Sequence, residues 1–330
     1  MDAGAAPVAI IRAEVCSLER LRPEELAAIR REIKALRQHY KHPDSGGWRY
    51  GENRHRLVAY ALAYYPCQVE LFGEAIQEAF DGFRVPRKWD LTPKDGLLGA
   101  RYAIVGCGAG PELYGLLRYV ANCLYASGHR EDVVPDIRIT LFEPELECWS
   151  CLFEAVTKPL IQRGQWLAEQ MGAGRIRIEW SREREPIPEM NIQGKYDLVI
   201  VQHVLNELNE RIWSGWLQRV MRDNVRSRGI ICVIDPERDV HSELRSLGFD
   251  RSVKLDFRWS ENGARKLDPV ATKLLFTGES GLIERLNVRA TALFWEKTTA
   301  VRVGPRLPPS RVPRPSLVPR ASGNYRGRRS

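Results

Sequence analysis

Residues 103–117, AIVGCGAGPELYGLL, constrain this chain more than any other stretch. An apolar run leads directly into Gly106, Gly108 and Gly110. The residues that follow place Leu113, Leu116, Leu117, Val120, Ala121 and Leu124 at helical spacing. A strand is therefore expected to enter a glycine loop and leave it as a helix. Glycine permits positive φ and lets the backbone approach a ligand closely. The backbone amides at the helix start face the loop, which suits a nucleotide-like ligand. Two nucleotide motifs are excluded. A dinucleotide fingerprint GxGxxG would need a third glycine where Pro111 or Leu113 stands, and no GxxxxGK[ST] run is present.

The same alternation continues along the chain. Short apolar runs at Tyr102–Val105, Ile137–Phe142, Ile176–Trp180, Asp197–Gln202 and Gly229–Ile234 are separated by helical or mixed segments. That pattern predicts a doubly wound α/β fold with a mostly parallel sheet. Val253–Arg258 and Val288–Trp295 lack an ordinary crossover helix between them and read as an antiparallel pair at one side. The expectation is a seven-stranded sheet with one antiparallel strand. A helical subdomain over residues 1–83 precedes it, with one helix opened by Pro23, then helix-like runs at Leu57–Tyr65 and Val69–Phe80. Residues 84–100 carry two prolines and two glycines and read as a linker to the domain at 101–300. Residues 301–330 hold a Pro-Ser-x-Val-Pro-Arg repeat without apolar periodicity and read as a disordered tail.

Polar residues gather at the carboxyl ends of consecutive strands, where open parallel sheets bind ligands. The second run ends in Glu143-Pro144, the fourth in Gln202-His203-Val-Leu-Asn206-Glu207, the fifth in Asp235-Pro-Glu237. An acid at the tip of the second strand suits both hydroxyls of a ribose. His203 is the candidate general base by position and intrinsic pKa, with a hydrogen-bonding role in the strand–helix turn as the competing reading. Ile212, Trp213, Trp216, Leu217, Val220 and Met221 form a stripe expected to be core.

These residues together resemble the class I S-adenosylmethionine-dependent methyltransferases over roughly residues 101–297. VGCGAGP resembles the family's glycine loop, FEP its ribose-binding strand end, YDLVIVQHVLNEL its fourth-strand motif and GIICVIDPE its fifth strand. The last two runs resemble the family's sixth strand and antiparallel seventh. The resemblance implies S-adenosyl-L-methionine as cofactor. It places Gly106, Gly108 and Gly110 against the methionine part, Glu143 on the ribose and Pro144 or Leu146 on adenine. Ser181 or Trp180 would border the adenine edge, and Gln202 would lie near the transferred methyl. The family commonly carries an acid two residues before the first glycine; here that position is Ile104. Glu112, or backbone carbonyls, would then have to hold the cofactor ammonium.

Charge narrows the partners. The net charge is +8, but residues 301–330 hold eight arginines and no acid. The remaining basic residues equal the acidic ones, 42 of each, so a basic groove on the folded part does not follow from the high pI. Seven cysteines without framework spacing suggest reduced thiols, and the lone Cys148-Trp-Ser-Cys151 pair lacks partners for zinc, so no metal is expected. No apolar run approaches the roughly 20 residues of a membrane span, and the N-terminal stretch lacks a signal-peptide pattern, so the expected address is cytoplasmic. The helical N-terminus and residues 260–287 are expected to shape the acceptor pocket. The leading expectation is methyl transfer to an oxygen or nitrogen of a small molecule. An RNA- or ribosome-directed methyltransferase is the second reading, since LVAYALAYYP resembles the helical region before the catalytic domain of the ribosomal small-subunit methyltransferase-related family and the arginine tail suits phosphates. That family's cysteine cluster is missing. A non-catalytic cofactor-binding or scaffold protein, docking a partner through the proline–arginine repeat, is the third. The oligomeric state is left open.

Overall fold

Near-continuous apolar sequence is what a strand buried on both faces requires, and Tyr196–Gln202 is buried at every residue. The computed structural model describes residues 23–41, 53–65, 68–69, 71–76, 99–117, 136–158, 162, 176–181, 185–187, 189–205, 208, 210–235, 240–259 and 286–297. Seven strands form one sheet: β1 (Gly99–Val105), β2 (Asp136–Phe142), β3 (Ile176–Trp180), β4 (Tyr196–Gln202), β5 (Val225–Asp235), β6 (Arg251–Trp259) and β7 (Leu286–Glu296). Their order is β3-β2-β1-β4-β5-β7-β6. β1 pairs parallel with β2 and β4, β2 with β3, and β4 with β5, while β7 runs antiparallel to both β5 and β6. The seven expected strands and the one antiparallel strand are all present.

Alternation along the strands divides the core in two. Tyr102, Ile104, Ile139, Leu141, Leu198 and Ile200 share one apolar cluster with Leu71, Phe72, Ala75 and Ile76 of the N-terminal region. Ala103, Val105, Val199, Val201, Ile231 and Val233 face the other side and pack with Trp213, Trp216, Leu217 and Val220. These last four lie on α4 (Glu210–Asp223), so the aromatic stripe is core. Further helices are α1 (Pro23–Lys41), α2 (Arg54–Ala63), α3 (Leu146–Leu152), which continues as a π-helical turn over Phe153–Thr157, and α5 (Val240–Ser246), and residues 71–76 and 111–117 are helical as well. Pro23 opens α1 as expected, and Asn53 caps α2 by accepting the His55 amide hydrogen at 2.9 Å.

The N-terminal helical region packs directly on the sheet domain. A Cβ at Gly115 would lie 2.7 Å from Phe72 Cδ1 and 3.1 Å from the Val69 carbonyl oxygen. Only glycine lets the helix beginning at Pro111 approach that segment so closely. One boundary moves: Gly99 and Ala100, expected in the linker, already pair with Asp136 and Ile137 in the sheet. The rest of that linker, residues 118–135, 260–285 and the 301–330 tail lie outside the described residues. β5 also starts earlier than its apolar run. A register shift opposite Tyr196 and Leu198 absorbs the polar residues 226–228, with Arg228 at φ 61°.

Lys297 fastens the end of β7 to the core. Its Nζ donates to the carbonyls of Met221 (3.2 Å), Arg222 (2.6 Å) and Val225 (3.0 Å), which cluster where α4 hands over to β5. A cation on the last carbonyls of a helix satisfies orphan acceptors and complements the dipole. Lys297→Met is expected to lower unfolding stability by about 1–2 kcal/mol, since it removes a charged donor from three partly solvated acceptors. Urea titration of both proteins measures this.

Candidate functional site

β1 sits between β2 and β4, so the chain reverses its direction of winding there. Such a switch point opens a crevice at the carboxyl ends of the strands. A cavity of about 310 Å³ occupies that crevice. Its walls come from the glycine loop, the end of β2, the end of β4 and the N-terminal helical region.

The glycine loop is held from three directions. Gly106 donates its amide hydrogen to Phe142 O at 2.8 Å, which carries the β1–β2 pairing one step past the strand. Gly108 donates to Glu143 Oε2 at 2.7 Å, and the Gly110 amide closes a turn on Cys107 O at 2.6 Å. From below, the Thr157 hydroxyl donates to Ala109 O. Its one proton is then used, so the Tyr65 phenol, 2.9 Å away, is the donor between those two hydroxyls. Burial raises the Tyr65 pKa, which keeps that proton in place. Gly106 has φ 66°, and a Cβ there would lie 2.5 Å from Val204 Cγ2. The position therefore excludes other residues twice over, by torsion and by space.

Glu143 faces the cavity and is 6% exposed. Its Oε1 accepts the Glu145 amide hydrogen at 3.0 Å. Pro144 and Glu145 continue the wall. Trp149, on α3, lies in contact distance of Gly108: a Cβ there would be 3.4 Å from the indole. The same indole stacks edge-on against Tyr60, with centroids 4.9 Å apart.

Gln202 ends β4 and is 3% exposed. Its Nε2 donates to Gln68 O at 3.2 Å, and the Tyr60 hydroxyl donates to Gln68 Oε1. Gln202 Oε1 has no hydrogen-bond partner. His203 lines the cavity with φ 54° and donates its backbone amide to Ile234 O at 2.8 Å. Burial lowers its pKa to about 4, so the imidazole is neutral across the physiological range. Glu112 is 3% exposed and its Oε2 also has no partner. Burial, reinforced by the nearby charge of Glu143, raises its pKa to about 8.

Of the residues singled out in the sequence, Gly106, Gly108, Glu143, Pro144, Gln202 and His203 line this one cavity. Gly110 does not; its Cβ position faces Thr157 and Phe153 instead. Ser181 is not in the described lining either; its backbone amide donates to Leu141 O at 2.8 Å and extends the β2–β3 pairing. Trp180 packs edge-on against Phe153, centroids 4.7 Å apart. Asn206 and Glu207 lie outside the described residues. Cys107 and Cys232 are buried thiols whose pKa values are pushed up by desolvation, so neither is an activated nucleophile. Trp149, Thr157 and Gln68 are the contributors that sequence reasoning passed over. Their spacing carries no signal, since each acts through a tertiary contact. Among the described residues no cluster of three or more His, Cys, Asp or Glu is placed to hold a metal. No described helix is long and apolar enough to cross a membrane.

No protein-family model matches the sequence, and a search of curated proteins finds no match. Solved structures give broad but distant likenesses. TehB from Haemophilus influenzae aligns at 11% identity over 69% of this chain and 62% of its own, with a TM-score of 0.34. The N-methyltransferase NodS from Bradyrhizobium japonicum WM9, in complex with S-adenosyl-l-homocysteine, aligns at 10% identity over 81% and 98%, with a TM-score of 0.32. A putative RNA methyltransferase from Pyrococcus horikoshii aligns at 10% identity over 80% and 99%, with a TM-score of 0.39. The strand order, with β7 inserted antiparallel between β5 and β6, is the arrangement the sequence resemblance implies. The chain has a Rossmann-like α/β fold of seven strands, six parallel and one antiparallel.

The electrostatics of Glu112 make a stability test. The folded state keeps a proton up to about pH 8 that the unfolded chain releases near the ordinary carboxyl value of 4.5. A raised carboxyl pKa favours the folded state least once that proton is lost, so stability falls as pH rises through this window. Glu112→Gln removes the titration. Its melting temperature should match wild type near pH 4 and exceed it increasingly up to pH 8.

Proposed function

We propose that this protein is an S-adenosylmethionine-dependent methyltransferase acting on an oxygen or nitrogen of a small-molecule acceptor. One observation carries the reading. The cavity beside the glycine loop is lined by Glu112, Glu143 and Glu145, and its described lining contains no lysine or arginine. An acid-lined pocket repels a pyrophosphate and attracts a cation. The cofactor joins a cationic sulfonium and ammonium to a ribose, and the residues present fit that combination. Gly106 and Gly108 let the chain approach closely, Glu143 offers acceptor positions for the ribose hydroxyls, and Pro144 supplies an apolar surface beside it.

When bound, the cofactor would supply an activated methyl group for transfer to the acceptor heteroatom. The protein's work is alignment and dryness. Tyr60 and Gln68 close the cavity from the N-terminal region, tied to Gln202 at the end of β4. His203, neutral and at the cavity wall, is the candidate base that would take the acceptor's proton. Its lowered pKa suits an acceptor that becomes strongly acidic as it is methylated. Activity should then be insensitive to His203 ionisation above pH 5 and fall as pH approaches 4.

The eight arginines at 301–330 favour an RNA-directed enzyme as the second reading. A small-molecule enzyme keeps full turnover when 301–330 is removed; an RNA enzyme loses affinity, and its binding weakens steeply with salt. Calorimetry with S-adenosylmethionine and S-adenosylhomocysteine is the first test. Wild type should bind both, and Glu143→Ala should bind at least about tenfold more weakly, the equivalent of one charge-assisted hydrogen bond. Undetectable binding to wild type at millimolar ligand overturns the reading. Labelled-methyl transfer into fractionated extract then separates small-molecule from RNA acceptors, and no transfer into any fraction favours a non-catalytic binding protein.

A further inference from the structure

The Ala109 carbonyl lies between two glycines of the loop, and what holds it comes from elsewhere in the chain. Thr157 donates its hydroxyl proton to Ala109 O, and the Tyr65 phenol donates to Thr157 Oγ1 at 2.9 Å. Tyr65, Ala109 and Thr157 are all fully buried. Three segments distant in sequence meet in this relay: the N-terminal helical region, the glycine loop and the π-helical turn after α3. A π-helical turn re-aims the side chains that follow it, and such turns gather at functional sites.

The relay acts on one peptide group. The unit joining Ala109 to Gly110 has its carbonyl on Thr157 and its amide on Cys107 O at 2.6 Å. A half-turn of that unit changes chiefly ψ of Ala109 and φ of Gly110. Gly110 stands at φ 81° and, lacking a Cβ, accepts either sign of φ. The backbone alone therefore does not choose between the two orientations. The Thr157 hydroxyl does, because a turned carbonyl would leave that donor behind in a buried setting. Shape agrees with this, since a Cβ at Gly110 would lie 3.1 Å from Thr157 Cγ2. On the other side of Ala109, the Gly108 amide is fixed separately by Glu143 Oε2 at 2.7 Å. Gly108 lines the cavity, whereas Tyr65 and Thr157 are not in its lining.

We propose that Tyr65 and Thr157 are positioning residues for the cofactor, their hydroxyls holding the 109–110 peptide in the orientation that gives the loop its binding shape. This rests on the cofactor reading above. Tyr65 thus sets affinity from outside the crevice, and it does so only through Thr157, by directing the threonine proton toward Ala109. When that control is lost the loop divides between two orientations. Apparent affinity then falls in proportion to the fraction that keeps the competent one.

Two measurements on the full chain at pH 7 test this. The first is calorimetric binding of S-adenosylhomocysteine. Thr157→Val keeps a methyl against Gly110 and removes the donor, so it should bind about tenfold more weakly. Thr157→Ser restores the donor and should bind within about threefold of wild type. Tyr65→Phe should weaken binding by about two- to fivefold on its own, and add nothing in the Thr157→Val background. The second measurement is amide hydrogen exchange without ligand. In Thr157→Val the Gly108 and Gly110 amides should exchange about tenfold faster relative to those of Val199 and Val201 in β4. A general loss of stability would speed both sets together.

Equal binding by wild type and Thr157→Val, or loop exchange that rises only in step with β4, overturns the assignment and leaves the cofactor reading intact. If wild type binds no S-adenosylhomocysteine at millimolar concentration, the cofactor reading fails and the positioning role with it. Should Thr157→Val not fold, Tyr65→Phe carries both measurements. Binding equal to wild type with unchanged loop exchange in that variant overturns the assignment.

Discussion

The hydrogen bond from the Gly108 amide to Glu143 is the contact on which the site depends. It ties the tip of β2 to the middle of the glycine loop at 2.7 Å. Without it, three positive-φ glycines at alternate positions, Gly106, Gly108 and Gly110, would sample many conformations, since glycine has little intrinsic preference between hands. With it, and with the Thr157 hydroxyl on the Ala109 carbonyl, the loop has one shape. The same carboxylate is the acceptor offered to the proposed ribose. Loop order and ligand recognition are thus coupled through one side chain, and a change at Glu143 acts on both.

Support for this contact comes from outside the sheet domain. Thr157 lies in the π-helical turn that follows α3, and such turns place a side chain where a regular helix would not. Tyr65, from the N-terminal helical region, donates to Thr157, and Tyr60 packs on Trp149 above Gly108. The N-terminal helices therefore do more than cover apolar sheet surface. They complete the wall of the cavity and brace its floor. An opening of this region would loosen the glycine loop at the same time as it admitted a ligand, which links access to the site with its order.

The strands were legible because a parallel sheet covered on both faces demands runs of Val, Ile and Leu, and five such runs stand out. Their glycine-loop and strand-end positions followed from the chain's path through a doubly wound sheet. Legibility failed where polar sequence is held by tertiary contacts. β5 begins four residues before its apolar run because a register shift accommodates Arg226, which pairs with the buried Asp197 carboxylate at 3.2 Å. The sequence also does not show that the Cβ position of Gly110 faces Phe153 or that the Ser181 amide extends the β2–β3 pairing. Trp149 appeared in the sequence only as the residue between two cysteines. Nothing in its spacing says that an indole lies against the second glycine, because that depends on how α3 leaves β2.

Ile104 and Glu112 are both buried, but in settings that treat a charge very differently. In the sheet, position 104 is surrounded by Leu141 and Ile200 on its neighbouring strands, and an apolar residue there adds to the core. An acid at that point would be desolvated and would need a permanent partner to stay ionised. Glu112 lies eight residues on, at the wall of the cavity, where its partner can be a ligand. The cost of burying it is met by protonation while the site is empty. Burial raises the Glu112 pKa to about 8, so its carboxyl is nearly neutral at pH 7, whereas an acid at position 104 would have no cavity beside it and would disrupt the apolar packing of the sheet.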